Sequence, residues 1–232
     1  MTTTVWLREP AAKNEKAGPY DQRDGGVRRR IHIAAAGTEA RAQSEPYAFP
    51  ERTLPPGGVE QYRAARAEGT RSFTLWADRY RQQALAHVVT KSASKGGTST
   101  YEILGAAGEP LAVVMREKAF DNGTRTRWTV QQTGGPAVVG HKGQVFGWVV
   151  WWLILPLQVL IAVGGLLGGG GPGAQMPYRT KWDLDGQTVL DWNGGHLHVK
   201  ADWWDPRVTA ALVALLKSHD GALGDSWDDK KD

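Results

Sequence analysis

One stretch near the C-terminus limits the possible folds more than any other. Asp205 and Pro206 form a cap and first-turn pair, RVTAALVALLKSH follows, and Gly221 ends the run, which is the grammar of a helix. Val208, Ala210, Ala211, Leu212, Val213, Ala214, Leu215 and Leu216 leave it almost no polar face. A helix apolar on all sides must be surrounded by other structure. Its apolar part extends only ~14 Å at about 1.5 Å per residue, too short to span a bilayer. A sheet wrapped around the helix satisfies both conditions, with Val208, Leu212, Leu215 and Leu216 as the buried contacts. Lys217 and His219 fall in the last turn, where cations suit the helix dipole.

The preceding chain offers such a sheet. YEILGAAGEPLAVV (101–114), RWTVQQTGGPAVVG (127–140) and KWDLDGQTVLDW (181–192) each read as strand, turn, strand, with Gly108, Gly134 and Gly186 at the turns. HLHVKADWW (196–204) is a further strand. SFTLWADRYRQQALAHVV (72–89) opens with aromatics that favour a strand and continues with a piece that favours a helix, so both stay open. GVEQYRAARAEG, after Pro-Pro-Gly, predicts a short helix over 58–69. Residues 1–57 show no sustained period and read as a disordered tail, with Arg28, Arg29 and Arg30 as solvated charge that could attract phosphate, lipid or RNA. Residues 221–232 read as an acidic tail. The expected architecture is therefore mainly β, of the α+β kind: an antiparallel barrel over 72–220 around a buried C-terminal helix.

A second feature cuts across that barrel. Residues 71–142 carry 10 basic and 5 acidic side chains, whereas 143–178 carry none. Within the gap, VFGWVVWWLILPLQVLIAVGGLL (145–167) has Gln158 as its one strongly polar side chain. As a straight helix it would reach ~34 Å, enough for the ~30 Å hydrocarbon core of a membrane. Trp148, Trp151 and Trp152 gather at one end, as interfacial aromatics do, and Ile154, Leu157 and Leu160 follow. A simple span would place the hairpins before and after it on opposite sides of a membrane, where they could not share a sheet. An insert over 144–173 that enters and returns at Pro156 or at Gly164 and Gly165, or lies flat at the interface, avoids the conflict. The mean hydropathy of -0.41 and 22% charged residues exclude a polytopic membrane protein.

Catalytic signatures are sparse. The absence of cysteine removes disulfides, thiolate metal sites and cysteine nucleophiles, and no nucleophile elbow, Walker A loop, H-E-x-x-H or kinase set occurs. His196 and His198 would share one face of a strand, with Asp202 nearby, yet lack a third metal ligand at defined spacing. Asp183, Asp185 and Gly186 suit a hairpin turn better than a calcium loop, because no bidentate glutamate follows. No cofactor and no metal are expected.

The hairpins YEILGAAGEPLAVV and RWTVQQTGGPAVVG, then a strand running into DWWDPRVTAALVALL, resemble the LURP-one-related and phospholipid-scramblase branch of the tubby C-terminal-like superfamily. That resemblance covers residues 72–220 and implies a closed antiparallel barrel around an apolar C-terminal helix. It also implies engagement of membrane lipid; the expected module is non-catalytic, and no nucleic-acid partner is expected. Arg116, Lys118, Arg125, Arg127 and Lys142, by charge and by position near the insert, are the candidates to face a lipid surface. High Ala, Gly, Arg and Trp usage points to a GC-rich bacterium, and the expected location is at the membrane, on its cytoplasmic side. The rival readings are a small hydrolase using His196, His198 and an aspartate, and a protein-interaction domain with a single transmembrane helix whose tails bind other chains.

Overall fold

The computed structural model describes residues 2–9, 29–37, 45–119, 125–142, 179–219 and 226–229. Its strands are β1 (Thr3–Arg8), β2 (Arg30–Ala35), β3 (Phe49–Arg52), β4 (Phe73–Trp76), β5 (Ala84–Ala93), β6 (Ser99–Gly105), β7 (Pro110–Glu117), β8 (Arg127–Gln132), β9 (Ala137–Lys142), β10 (Thr180–Leu184), β11 (Gln187–Asn193) and β12 (His196–Val199). Helix α1 (Gly58–Ala67) lies between β3 and β4, and α2 (Pro206–His219) follows β12.

All twelve strands form one sheet, in the order β2-β1-β12-β11-β10-β9-β8-β7-β6-β5-β4-β3. From β3 to β12 the chain is an antiparallel meander, in which short turns join β5 to β6, β6 to β7, β8 to β9, β10 to β11 and β11 to β12. At the β10–β11 turn Asp185 and Gly186 both have positive φ, 49° and 78°, the type I′ geometry that matches strand twist. The two ends of the order meet through Ile31 and Ala48. Ile31 N–H donates to the Ala48 carbonyl at 2.8 Å, and Tyr47 N–H donates to the Ile31 carbonyl at 2.8 Å. The sheet is thus a nearly closed barrel.

Alternate residues along each strand point inward. Val5, Tyr101, Ile103, Val114, Val130, Trp182 and Leu197 are fully buried on that face. Helix α2 packs on β1 and β12 and also on β5 and β6, which stand well apart around the ring. Its Val208, Leu212 and Leu215 are fully buried and Leu216 is 4% exposed. The helix thus contacts walls far apart in the strand order, and its residues 208–216 are all buried. Each buried leucine contributes about 1.5–3 kcal/mol. Asp205 caps the helix, its Oδ1 accepting from the Arg207 N–H at 2.8 Å.

Two expectations need correction, and one reading left open is resolved. Residues 1–57 are not one disordered tail, since they supply β1, β2 and β3 and with them the seam of the barrel. The ambiguous run 72–89 forms β4, a turn and the start of β5; the Asp78 carboxylate nucleates that turn by accepting from the N–H groups of Tyr80, Gln82 and Gln83 at 2.8, 3.0 and 2.9 Å. Within the acidic end, Ser226–Asp229 folds back onto the core, with Trp227 1% exposed. The Trp227 indole N–H donates to the Ala214 carbonyl of α2 at 2.8 Å, and its ring meets Phe73 edge-on.

The apolar insert, with Trp148, Trp151, Trp152, Ile154, Leu157 and Leu160, lies outside the described residues. Its two attachment points do not. Lys142 at the end of β9 and Thr180 at the start of β10 are partners on one antiparallel ladder. Both ends of the insert therefore attach at one rung of the sheet. Among the described residues no helix is long and apolar enough to cross a membrane.

Candidate functional site

Strand parity carries basic side chains into one mouth of the barrel. Along β7 the inward residues Ala112 and Val114 are followed by Arg116, and Lys118 continues the alternation just beyond the strand. Along β9 the inward Val138 is followed by Gly140 and Lys142. In the ladder Arg116 stands opposite Ser99 on one side and Trp128 on the other, while Lys142 stands opposite Thr180. The C-terminal turn of α2 brings Ser218 and His219 to the same level. Two adjoining cavities result. One of about 50 Å³ is lined by Arg116, Trp128, Lys142, Thr180, Leu216 and His219 among others. The other, about 250 Å³, is lined chiefly by Arg66, Arg71, Arg116, Lys118, Ser218 and His219.

Parity also divides the five basic residues singled out from the sequence. Arg116, Lys118 and Lys142 converge on the mouth. Arg127 has the opposite parity, being exposed next to the inward Trp128, and pairs with Glu117 at 3.4 Å on the outer wall. Arg125 belongs with it, because burial and then Arg125 and Arg127 together hold the His141 imidazole below its ordinary pKa.

The sequence reading missed Arg66, Arg71, His219 and Asp228, which the fold collects from α1, the loop before β4, α2 and the C-terminal turn. Asp228 is fully buried. Its carboxylate accepts from Arg66 Nε at 3.0 Å and from the Tyr62 hydroxyl at 3.1 Å, and lies 3.3 Å from Arg71 Nε. Burial, and then the adjacent Asp228, push the Tyr62 hydroxyl far up, so it stays a donor. Arg66 and Arg71 also donate to the Ser218 carbonyl at 3.0 and 3.3 Å, which satisfies an open carbonyl at the end of α2 and complements its dipole.

His219 is not a dipole-paired cation. Its ring sits between Tyr101 and Trp128, with centroids 5.8 and 5.5 Å away. The Tyr101 hydroxyl donates to the Gly69 carbonyl at 2.7 Å. Its contact with His219 Nε2 at 3.0 Å is therefore an N–H of His219 donating to the tyrosine oxygen. That leaves Nδ1 to accept from Arg71 Nη2 at 3.3 Å. Only a neutral imidazole can do both. Burial foremost, then Arg71, Arg116, Arg66 and Lys142, hold its pKa well below the ordinary histidine value.

Arg116 stands apart from this network. Its Nε is buried without a hydrogen-bond partner, and its guanidinium lies 5.7 Å from the Trp128 ring centroid. Burial chiefly pulls its pKa below that of a free guanidinium. Neither Arg116 nor Lys118 meets a carboxylate among the described residues.

The histidine pair noted in the sequence is elsewhere. His196 and His198 lie on the outer face of β12, since Leu197 and Val199 between and beyond them are buried. His198 Nδ1 contacts Thr4 Oγ1 at 3.0 Å and His196 Nδ1 contacts the Gly194 carbonyl at 3.2 Å. Among the described residues no group of three or more His, Asp or Glu is placed to hold a metal.

Fold and site together define a nearly closed, twelve-stranded antiparallel β-barrel with a C-terminal helix and a cluster of basic side chains at one end. Comparison of the chain with protein-family models, with curated proteins and with solved structures finds no match.

Proposed function

We propose that this chain is a membrane-associated, lipid-interacting β-barrel module of the tubby-like kind, non-catalytic, with the 144–173 insert contacting the bilayer and the barrel resting at its surface. The observation that carries the reading is where the uncharged segment attaches. It departs after Lys142 and returns at Arg179, beside the Lys142–Thr180 rung, at the edge of the basic mouth. Arg179 fixes the return by donating from Nε and Nη2 to the two carboxylate oxygens of Asp191, at 2.9 and 2.7 Å. An apolar segment and an electropositive rim on the same end of a barrel suit a surface of anionic lipid, which adds about 1 kcal/mol per nearby basic residue to the apolar contact.

Vesicle flotation tests this. The full chain is expected to float with phosphatidylcholine vesicles. A variant with a short Gly-Ser linker between Lys142 and Arg179 is expected to stay in the aqueous phase while keeping its β-rich circular dichroism, because adjacent antiparallel strands need only a short loop. A full chain that remains aqueous, or a linker variant that floats equally well, would sink the reading.

A further inference from the structure

We infer that the barrel mouth is a binding site for a phosphate monoester, held between Arg116, Lys118 and the Arg66–Arg71 pair. The inference deepens the lipid-interacting reading and rests on it for the source of the phosphate, not for the pocket itself.

Among the described residues, four cationic side chains line the 250 Å³ cavity and no acidic one does. Asp228 and Asp229 lie behind Arg66, and Asp228 alone behind Arg71. These carboxylates compensate two of the four cations from the protein side and leave Arg116 and Lys118 to be compensated from the cavity. A largely buried, unpaired guanidinium is expensive unless an anion meets it. The excess of two charges matches a phosphate monoester, which is close to dianionic near pH 7, better than a carboxylate or a diester. The guanidinium fork of Arg116 presents parallel N–H donors that fit phosphate oxygens, and Lys118 supplies a second, rotatable donor. The wall opposite is held rigid: Arg71 is fixed by Asp228, Ser218 and the carbonyls of Arg66 and Thr70, and neutral His219 adds no competing charge. A lipid headgroup with a terminal phosphate and a soluble phosphate ester share this chemistry.

The test uses the full chain in phosphate-free buffer, with inorganic phosphate, glycerol 3-phosphate, and phosphatidylcholine vesicles with or without phosphatidic acid as probes. Phosphate and glycerol 3-phosphate are expected to raise the melting temperature where chloride at equal ionic strength does not, with affinity falling about tenfold or more in Arg116→Gln and in Lys118→Gln. Arg127→Gln, on the outer wall, is expected to bind like the parent. Arg116→Gln removes an unpaired buried charge, so its melting temperature without phosphate should hold or rise, which separates lost binding from lost folding. Tighter flotation with phosphatidic acid, abolished by the same two substitutions, would assign the phosphate to lipid; a response to the soluble probes alone would support the site and assign it a soluble ester. Flotation on phosphatidylcholine alone reports the insert and stands or falls separately. No response to any phosphate probe, or an equal response in the Arg116 and Lys118 variants, would overturn the inference.

Discussion

His219 is the residue at which packing and protonation are most tightly linked. The folded barrel holds it neutral, with its pKa well below 6.5, whereas the unfolded chain protonates it as the pH falls through about 6.5. Below that point the unfolded state binds more protons than the folded one, so stability must fall as the pH is lowered, by up to about 1.4 kcal/mol per pH unit, until the folded-state pKa is passed. His141, held low by burial and by Arg125 and Arg127, adds a contribution of the same sign. His219→Gln keeps an acceptor for Arg71 and a donor for Tyr101 without a titrating ring. Urea unfolding between about pH 7.5 and about pH 5 is therefore expected to show a shallower loss of stability in His219→Gln than in the parent. Identical pH slopes would mean that His219 is not the group that couples protonation to folding. The sequence placed His219 in the last turn of a helix, which is where it is, and assigned it a positive charge, which it does not carry. Its state depends on Arg71, Tyr101 and Arg116, each distant in sequence, and no local pattern announces them.

Elements whose signals are local could be read directly. The hairpins β6–β7, β8–β9 and β10–β11 carry both their alternation and their turn glycines within a few residues, and Gly108, Gly134 and Gly186 adopt φ of 85°, 77° and 78°. Strands β1 and β3 could not be read that way, because each brings few inward side chains: Val5 and Leu7 in β1, and in β3 Pro50, which stands opposite the inward Leu75. Those residues are worth burying only when the rest of the barrel already exists. The basic mouth was half legible. Arg116 and Lys142 share the inward parity of Val114 and Val138, a signal present in the sequence, while Arg66 and Asp228 arrive by tertiary contact. Gly140 shows the same parity acting on packing. It stands opposite Trp128 on β8 and Trp182 on β10, and a Cβ there would lie 2.8 Å from the Trp182 ring and 2.9 Å from the Lys181 carbonyl. Trp182 is fully buried and its indole N–H donates to the Trp128 carbonyl at 3.1 Å, so neither wall can retreat cheaply. Gly140→Ala is expected to destabilise the barrel by about 1–3 kcal/mol, the usual range for overpacking, seen as a lower urea midpoint at unchanged slope. A midpoint at or above that of the parent would show that the β8–β10 wall has slack.

At the scale of the whole molecule the barrel depends on a strand contributed by its own N-terminus. Strand β1 bridges β12 and β2, with Val5 opposite Leu197 on one side and Ile33 on the other. Beyond β1, among the described residues, β2 reaches β3 only through the Ile31–Ala48 bridge. Removing β1 would leave β12 with an unpaired edge, release β2 from all but that bridge, and open the wall against which α2 packs. An all-apolar helix such as α2 has no face to turn toward the resulting gap, so the loss cannot be absorbed by a rotation. Deletion of residues 1–8 is therefore expected to convert cooperative unfolding into a broad, weakly cooperative transition, with strong binding of a hydrophobic dye before any denaturant is added. A solvated tail would behave differently, since its removal would leave the melting curve superimposable on that of the full chain. The comparison thus decides whether closure of the ring, rather than the β4–β12 meander alone, keeps α2 from water.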